Sequence, residues 1–261
     1  HDVLLACRNP VAAQRHSGTR DIPVLQAPTF ERSSREKSPA ISYAELLLCC
    51  GYENARATRA MINAWLTMYD IARPDLVVVE HSPTAALSAR IAGVPVVRTG
   101  SGFMNPLPVF PQPAFLYWSP PPRCDLHAMD LNALAAVNRA LVAFDSSPLS
   151  TLAELFPESA LYLSTYPQLD HYGARDESLY WGTPDQRGMG ETPIWPRESG
   201  EKIFVYMHPH YPQFEPMLRQ LGALRDSVLV VAPGIGGALA NQYRRPHLRI
   251  HSNHVDRHQV A

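Results

Sequence analysis

Short runs of Val, Ile and Leu alternate along the chain with longer stretches in which apolar residues recur every three or four positions. Short continuous runs are typical of buried strands, and the longer periodic stretches are typical of amphipathic helices. Their alternation predicts an α/β fold in which parallel strands are joined by crossover helices in the order βαβαβ. We expect the first buried strand at residues 4–7.

The clearest helices are predicted by their end signals. Ser42, with Glu45 three residues later, forms a capping-box pattern, and an apolar helical face follows. A second helix should begin after Ser82, because Pro83 suits the first helical position and Gly93 suits the left-handed residue beyond the helix end. The run PDLVVVE before it predicts a strand buried on both faces.

The 25 prolines divide the chain into segments. Because proline cannot sit inside a helix or a central strand, the cluster within residues 103–124 predicts an extended loop. A second region, 182–202, combines Gly, Pro and charged residues with little periodicity, as linkers do. We therefore predict a first domain at 1–183, a linker at 184–200 and a second domain at 201–261.

Composition excludes several functional classes. A net charge of -1 and the lack of a basic stripe argue against a nucleic-acid partner. No apolar stretch reaches the roughly 18 residues of a membrane span, and no signal peptide is visible, which predicts a cytoplasmic protein. Cys7, Cys49, Cys50 and Cys124 form no CxxC pair, so we expect reduced thiols and no zinc site.

Polar residues follow the strand that ends PDLVVVE. Open parallel sheets bind ligands beyond the carboxyl ends of their strands, where Glu80 and His81 are expected. They are candidates for the site, although Glu80 is equally compatible with a solvated carboxylate near a helix start. Beyond the next strand, the proline-stiffened loop carries aromatic and apolar residues that suit a flat acceptor or ordinary loop packing: Phe103, Met104, Phe110, Phe115, Tyr117 and Trp118.

Three further patterns are weaker. Four histidines, His247, His251, His254 and His258, have helical spacing, but the alternation in HLRIH predicts a strand that scatters them and disfavours a metal site. Gly234, Gly236 and Gly237 form a turn after the strand VLVVAP, yet Leu239 replaces the third glycine of a dinucleotide fingerprint. Ser101 is not a hydrolase nucleophile elbow, because Thr99 replaces its first glycine.

Three segments carry a resemblance to a known family. PDLVVVEHSPTAALSARIAGVPVVRTGSGF resembles a strand, helix and strand in the amino-terminal half of the UDP-glycosyltransferase-like family, which has the GT-B fold. LYLSTYPQLDHYGARDESLYWGTP resembles the end of that half, and EKIFVYMHPHYPQFEPMLRQLGALRDSVLVVAPG resembles the start of the other half. The resemblance implies two Rossmann-like, doubly wound domains, both incomplete here.

The resemblance implies an inverting glycosyltransferase of the hexosyltransferase type. A nucleotide-sugar donor would bind mainly to the second domain, and an apolar aglycone or lipid acceptor would bind to the first, with peripheral membrane contact in the lipid case. No cofactor or metal is implied. Glu80 falls where the family has a carboxylate, more often Asp, that orients a histidine base. His81, Phe103, Met104, Phe115 and Trp118 would contact the acceptor, and His208, Gly234 and Gly236 the donor.

We also expect that segments of the family pattern lie outside the chain. His1 precedes what resembles the second strand, so it is not the catalytic histidine, and the first strand and the main diphosphate loop are missing. The chain alone should then be inactive. Two other classes remain open: a non-catalytic relative that retains an acceptor cleft, and a nucleotide-sugar epimerase or dehydrogenase with similar halves.

Overall fold

The structure is a computed structural model that describes residues 2–14, 21–30, 40–119, 125–156, 160–184, 190–196 and 200–260. The predictions for His1 and Cys124, and for parts of the linker, lie outside these residues. The chain divides into two compact units, His1–Thr183 and Pro184–Ala261. The first unit has two parallel sheets and two apolar core clusters, and the second has one of each among the described residues.

The described residues of the first unit form five strands in two groups. The first two strands pair in parallel with each other, and the next three form a parallel sheet in the order β3-β4-β5. The strands are β1 (Leu5–Cys7), β2 (Val24–Gln26), β3 (Val77–Glu80), β4 (Val96–Gly100) and β5 (Leu161–Leu163).

Five α-helices accompany these strands in the part of the unit that the structure describes. They are α1 (Pro10–Ala13), α2 (Tyr43–Leu47), α3 (Ala55–Ala72), α4 (Pro83–Ala92) and α5 (Leu126–Val142). A left-handed Gly51, with φ of 103°, separates α2 from α3. The main core of the unit is formed where α2, α3 and α5 meet, around Tyr43, Leu47, Ile62 and Leu141.

Two sequence predictions about strand burial are wrong. Strand β3 is not buried on both faces: Val79 is 6% exposed, but Val78 is 61% exposed. Among the described residues, α3 and α4 pack on the Val79 face, through residues such as Trp65 and Ala89. The first strand is half-buried rather than buried.

The ends of the helices mostly follow the sequence signals. Pro83 occupies the first turn of α4, and Gly93 ends it in the left-handed conformation with φ of 71°, as predicted. The Ser82 side chain, however, makes no capping hydrogen bond. At α2, the Ser42 hydroxyl accepts from Glu45 N, but the Glu45 carboxylate accepts from Ile41 N instead of closing the capping box on Ser42.

The second unit contains one parallel sheet in the order β6-β7-β8. Its elements are β6 (Lys202–Tyr206), α6 (Phe214–Ala223), β7 (Ser227–Val231), α7 (Gly237–Tyr243) and β8 (Leu248–His251). The middle strand is fully buried, and α6 and α7 cover one face of the sheet. Residues 190–196, which we assigned to the linker, pair with this unit: Glu191 N donates to His254 O over 2.8 Å.

Candidate functional site

Glu80 is the last residue of β3 and lies beside Thr99 of the neighbouring strand β4. Its side chain extends over the end of β4, because a β-carbon placed on Gly100 would lie 3.1 Å from Glu80 Cγ and 3.4 Å from Oε1. Gly100 has φ of 110°, a conformation that favours glycine. The sequence thus places a solvent-exposed carboxylate at the carboxyl edge of the sheet.

Asn105 fixes the loop on the other side of Gly100. The Asn105 Nδ2 atom donates to Thr99 O over 3.0 Å and to Ser101 O over 3.1 Å, and the side chain is buried. The same nitrogen would lie 3.7 Å from a β-carbon at Gly100. The Glu80 carboxylate and the Asn105 amide therefore flank one glycine at the strand end.

His81 begins the turn after β3 and is held in the left-handed conformation, with φ of 44°. Its ring contacts the edge of Tyr43, with the centroids 6.1 Å apart. Desolvation by the surrounding groups lowers the pKa of His81, and the Glu80 carboxylate opposes that shift. The folded site thus favours the neutral imidazole, which can accept a hydrogen bond.

A small cavity of about 20 Å³ adjoins His81, with room for about one water molecule. Met104 and Asn105 line it, together with Arg98 of β4. Arg98 is 6% exposed, and its guanidinium lies 5.5 Å from the centroid of the Phe156 ring. Sequence reasoning missed this buried cation, because an arginine within a short strand carries no pattern that predicts burial.

A cluster of aromatic rings surrounds His171, and we call it the aromatic cluster. His171 Nε2 lies 2.8 Å from Phe115 O, which fixes the imidazole. Ring centroids lie 4.8–6.5 Å from that of His171 for five neighbours: Phe103, Phe115, Tyr117, Trp118 and Tyr172. Trp118 is 63% exposed and Tyr117 is 54% exposed, so the cluster presents aromatic area to solvent.

A buried ion pair supports the loop that carries Phe103 and Met104. Arg175 Nε lies 3.1 Å from Asp170 Oδ2, and the side chains are 3% and 0% exposed. Arg175 also donates to Asn105 O over 2.6 Å, and Tyr180 donates to the Asp170 carboxylate over 2.9 Å. This network ties the segment after β5 to the loop after β4.

Aromatic and imidazole rings also meet in the second unit, at the carboxyl ends of β6 and β8. His208 contacts the edge of Tyr206 at 5.6 Å and stacks on His210 at 5.3 Å, and Tyr206 stacks on His254 at 6.0 Å. The turn after β7 reaches the same edge, because Gly234 N donates to Ser252 O over 3.0 Å. Gly234 has φ of 81°, and Gly236 precedes α7.

Comparison with solved structures decides the fold. CalG4, the calicheamicin glycosyltransferase, aligns with a TM-score of 0.58 at 16% identity over 100% of this chain and 64% of its own. The spinosyn rhamnosyltransferase SpnG, complexed with spinosyn aglycone, aligns at 0.54 and 15% over 94% of this chain and 62% of its own. The glycosyltransferase SsfS6 of Streptomyces sp. SF2575, complexed with thymidine diphosphate, aligns at 0.51 and 17%, over 96% and 63%.

The chain has the GT-B glycosyltransferase fold. No protein-family model and no curated protein matches its sequence. The chain spans less than two thirds of the length of each of these three structures. At 15–17% identity, the likeness concerns the fold and leaves the activity to be argued from the residues.

Within this GT-B chain, the predicted acceptor residues separate into two neighbouring groups. Phe103, Phe115 and Trp118 join the aromatic cluster, whereas His81 and Met104 line the small cavity. Phe103 and Met104 are adjacent in one turn of 3-10 helix, Gly102–Met104, so the two groups share a short segment.

Sequence reasoning also missed the centre of the aromatic cluster. His171 lies in the segment QLDHYG, which carries neither a strand pattern nor a helix pattern. Its aromatic neighbours are 53–68 residues away along the chain, except for Tyr172. One signal could have indicated a role for His171: it follows a loop at the end of β5, at the same sheet edge as Glu80.

The described residues contain neither a metal-ligand cluster nor a membrane-spanning helix. Among residues 2–14, 21–30, 40–119, 125–156, 160–184, 190–196 and 200–260, no three His, Cys, Asp or Glu side chains are placed to hold a metal ion. Within the same ranges, no helix is long and apolar enough to cross a membrane.

Proposed function

We propose that this protein is an inverting glycosyltransferase, which transfers a sugar from a nucleotide-sugar donor to a hydroxyl group of an apolar acceptor. The observation that carries the proposal is an exposed carboxylate, Glu80, at the carboxyl edge of a parallel sheet whose edge loops also carry an exposed aromatic cluster. The carboxylate would orient the base that activates the acceptor hydroxyl, and the aromatic surface would bind the acceptor.

The aromatic cluster supports an apolar acceptor. Aromatic side chains bury large areas on binding and lose little conformational entropy, because they have few rotatable bonds. Trp118 and Tyr117 are mostly exposed, whereas Phe103 and Phe115 pack against each other beneath, with ring centroids 4.7 Å apart. A flat aglycone would therefore lie on a surface that is already ordered. SpnG, which shares this fold, was solved with the spinosyn aglycone bound.

Glu80 would supply the carboxylate that positions the base. The transfer requires a base to remove the proton of the acceptor hydroxyl as its oxygen attacks the anomeric carbon. The bond between that carbon and the diphosphate breaks on the opposite side, so the configuration inverts and the nucleoside diphosphate leaves. In the family that the sequence resembles, a carboxylate orients a histidine base, and Glu80 is the residue in that place.

The donor would bind at the carboxyl edge of the second sheet. The rings of Tyr206, His208, His210 and His254 are available there for stacking or for hydrogen bonds to phosphate, beside the turn that holds Gly234 and Gly236. A β-carbon on either glycine would meet no atom within 4 Å, so a ligand can approach the main chain closely. SsfS6 was solved with thymidine diphosphate bound, in accord with a nucleotide-linked donor.

The test is turnover of a defined donor and acceptor by the complete protein. It is incubated with a panel of uridine and thymidine diphosphate sugars and polyphenol or macrocyclic alcohol acceptors, and products are separated by mass spectrometry. We expect one glycoside and a stoichiometric amount of nucleoside diphosphate, with inverted anomeric configuration by NMR. Acceptor binding without turnover of any donor would instead identify a non-catalytic binding protein.

A further inference from the structure

A groove lies along β8 in the second unit. We call it the arginine groove; it encloses about 390 Å³, a volume within the range of small-molecule sites. Its lining residues are Arg244, Arg245, Arg249, His251, Pro196, Pro246, Leu248 and Ile250. The groove thus combines three guanidinium groups and an imidazole with an apolar wall.

Among the described residues, the three arginines of the arginine groove form no ion pair, and the acidic Glu191 lies beside His251 instead. No Asp or Glu is among the described residues that line the groove. Three like charges that share one concave surface repel each other, and concave surfaces concentrate the field. A bound anion would remove this repulsion.

Main-chain carbonyl groups hold two of the guanidinium groups. Arg245 Nη1 donates to Gln242 O over 3.0 Å and to Arg244 O over 2.8 Å, and Arg249 Nη1 donates to Ile194 O over 3.5 Å. Each guanidinium has five N–H donors, so these bonds orient the groups and leave further donors for a ligand. Orientation before binding reduces the entropy that a ligand complex would cost.

His251 lines the groove at the carboxyl end of β8. Its side chain is 10% exposed, and its Nε2 atom is buried without a hydrogen-bond partner among the described residues. The other ring nitrogen, Nδ1, lies 3.7 Å from Glu191 Oε2, and the Glu191 carboxylate also accepts from Asn253 over 2.6 Å. Nε2 has almost no solvent-accessible surface, so a ligand in the groove would not reach this atom.

We propose that the arginine groove binds a small organic phosphomonoester. A dianionic phosphate matches three guanidinium groups better than a single carboxylate does, and the planar Arg fork binds phosphate through paired hydrogen bonds. Pro196 and Pro246 would contact the organic part of the ligand, whereas the Leu248 and Ile250 side chains are buried in the core beneath the groove. Arg244 and Arg245 precede β8, so they lie at the opposite end of that strand from the proposed donor edge, which the groove approaches at His251.

Phenyl phosphate is the probe, and isothermal titration calorimetry in a low-salt, phosphate-free buffer is the measurement. We expect 1:1 binding that weakens about 10-fold or more in Arg249→Gln and in Arg244→Gln, as for a lost hydrogen bond to a charged group. Arg249→Lys, which keeps the charge but loses the fork, should bind with intermediate affinity. Benzoate, a monoanion of similar shape, should bind more weakly than phenyl phosphate.

Two controls separate this site from other phosphate sites. Arg219→Gln removes an exposed arginine of the same unit outside the groove, and His208→Ala changes the proposed donor edge; both should bind phenyl phosphate as the parent does. Thermal melting checks that each variant is folded. Unchanged affinity in folded Arg249→Gln and Arg244→Gln, no binding to the parent protein, or a loss in His208→Ala instead would overturn the proposal. None of these outcomes depends on glycosyl transfer.

Discussion

The Asp170 carboxylate lies directly against Gly102, in the space that a side chain at position 102 would fill. A β-carbon there would come within 2.6 Å of Asp170 Cγ and 2.9 Å of Oδ2. Asp170 is buried and paired with Arg175, so it has little freedom to move away. The glycine is thus required by close approach, and it fixes the loop that carries Phe103 and Met104.

Gly102→Ala should destabilise the protein by about 1–3 kcal/mol, because the added methyl group overpacks a buried, charged contact. The free energy of unfolding from urea titration measures this. Gly222→Ala is the matched control: Gly222 lies in α6 with open space around its Cα, so alanine should be neutral or stabilising by up to about 1 kcal/mol. Equal effects at the two positions would contradict the packing described for Gly102.

Asp170→Ala should destabilise the protein by about 3–5 kcal/mol, because it leaves the Arg175 guanidinium buried without its carboxylate. Arg219→Ala is the control, since Arg219 lies 3.7 Å from Glu215 in an exposed pair on α6. Its loss should cost no more than about 1 kcal/mol. Chemical unfolding of both variants decides the point, and a small effect of Asp170→Ala would show that the buried pair is not a structural anchor.

The free energy of unfolding should decrease as the pH rises above 3.8, because the folded state raises the pKa of Asp130. Burial raises the pKa of Asp130 from its ordinary 3.8, although the Gln112 N–H and His127 oppose the shift. Between 3.8 and the raised value the folded state binds more protons than the unfolded state, so the free energy of unfolding decreases with rising pH.

Asp130→Asn removes this titration and is the test. The free energy of unfolding of the parent minus that of Asp130→Asn should decrease from pH 4 towards neutrality and then level off, because the titration of Asp130 is then complete. Urea unfolding at several pH values measures the difference. A difference that is constant or that increases with pH would mean that the folded environment does not favour the protonated carboxyl.

The local elements of this fold follow from the sequence more closely than its contacts do. Pro83 and Gly93 predict both ends of α4 because each acts through its own backbone conformation. In the described part of the proline-rich stretch, residues 105–119 form a loop, as predicted, with Ala114 bridged to Ser42. The exposure of Val78 was not predictable from the residues of β3, because burial depends on what packs on each face.

The candidate site was predictable only in part for the same reason. The position of Glu80 at the sheet edge could be predicted, because the sequence shows directly where this strand ends. Gly102 and Asp170 are 68 positions apart, and nothing in either segment indicates that they meet. His171 gains its place at the centre of the aromatic cluster from tertiary packing, which no local pattern encodes.

Trp118→Ala should raise the acceptor KM of the complete protein about 10-fold, as expected for the loss of one aromatic contact worth roughly 1.4 kcal/mol. The turnover number and the donor KM should stay close to those of the parent. Trp181→Ala is the matched control, because Trp181 is 69% exposed and contacts Tyr162 instead of the aromatic cluster. A higher acceptor KM in Trp181→Ala, with that of Trp118→Ala unchanged, would mean that the acceptor does not bind at the aromatic cluster.

The most direct test of the account is the effect of Glu80→Gln on turnover, compared with its effect on nucleotide affinity. Glu80→Gln keeps the size of the side chain and removes the charge that would orient the base, so kcat should fall by about 100-fold or more. The dissociation constant of the nucleoside diphosphate should change little. Glu53→Gln, at an exposed carboxylate of the same unit, should leave both unchanged. If Glu80→Gln retains the turnover of the parent, Glu80 is not the carboxylate that positions the base and the proposed mechanism is wrong.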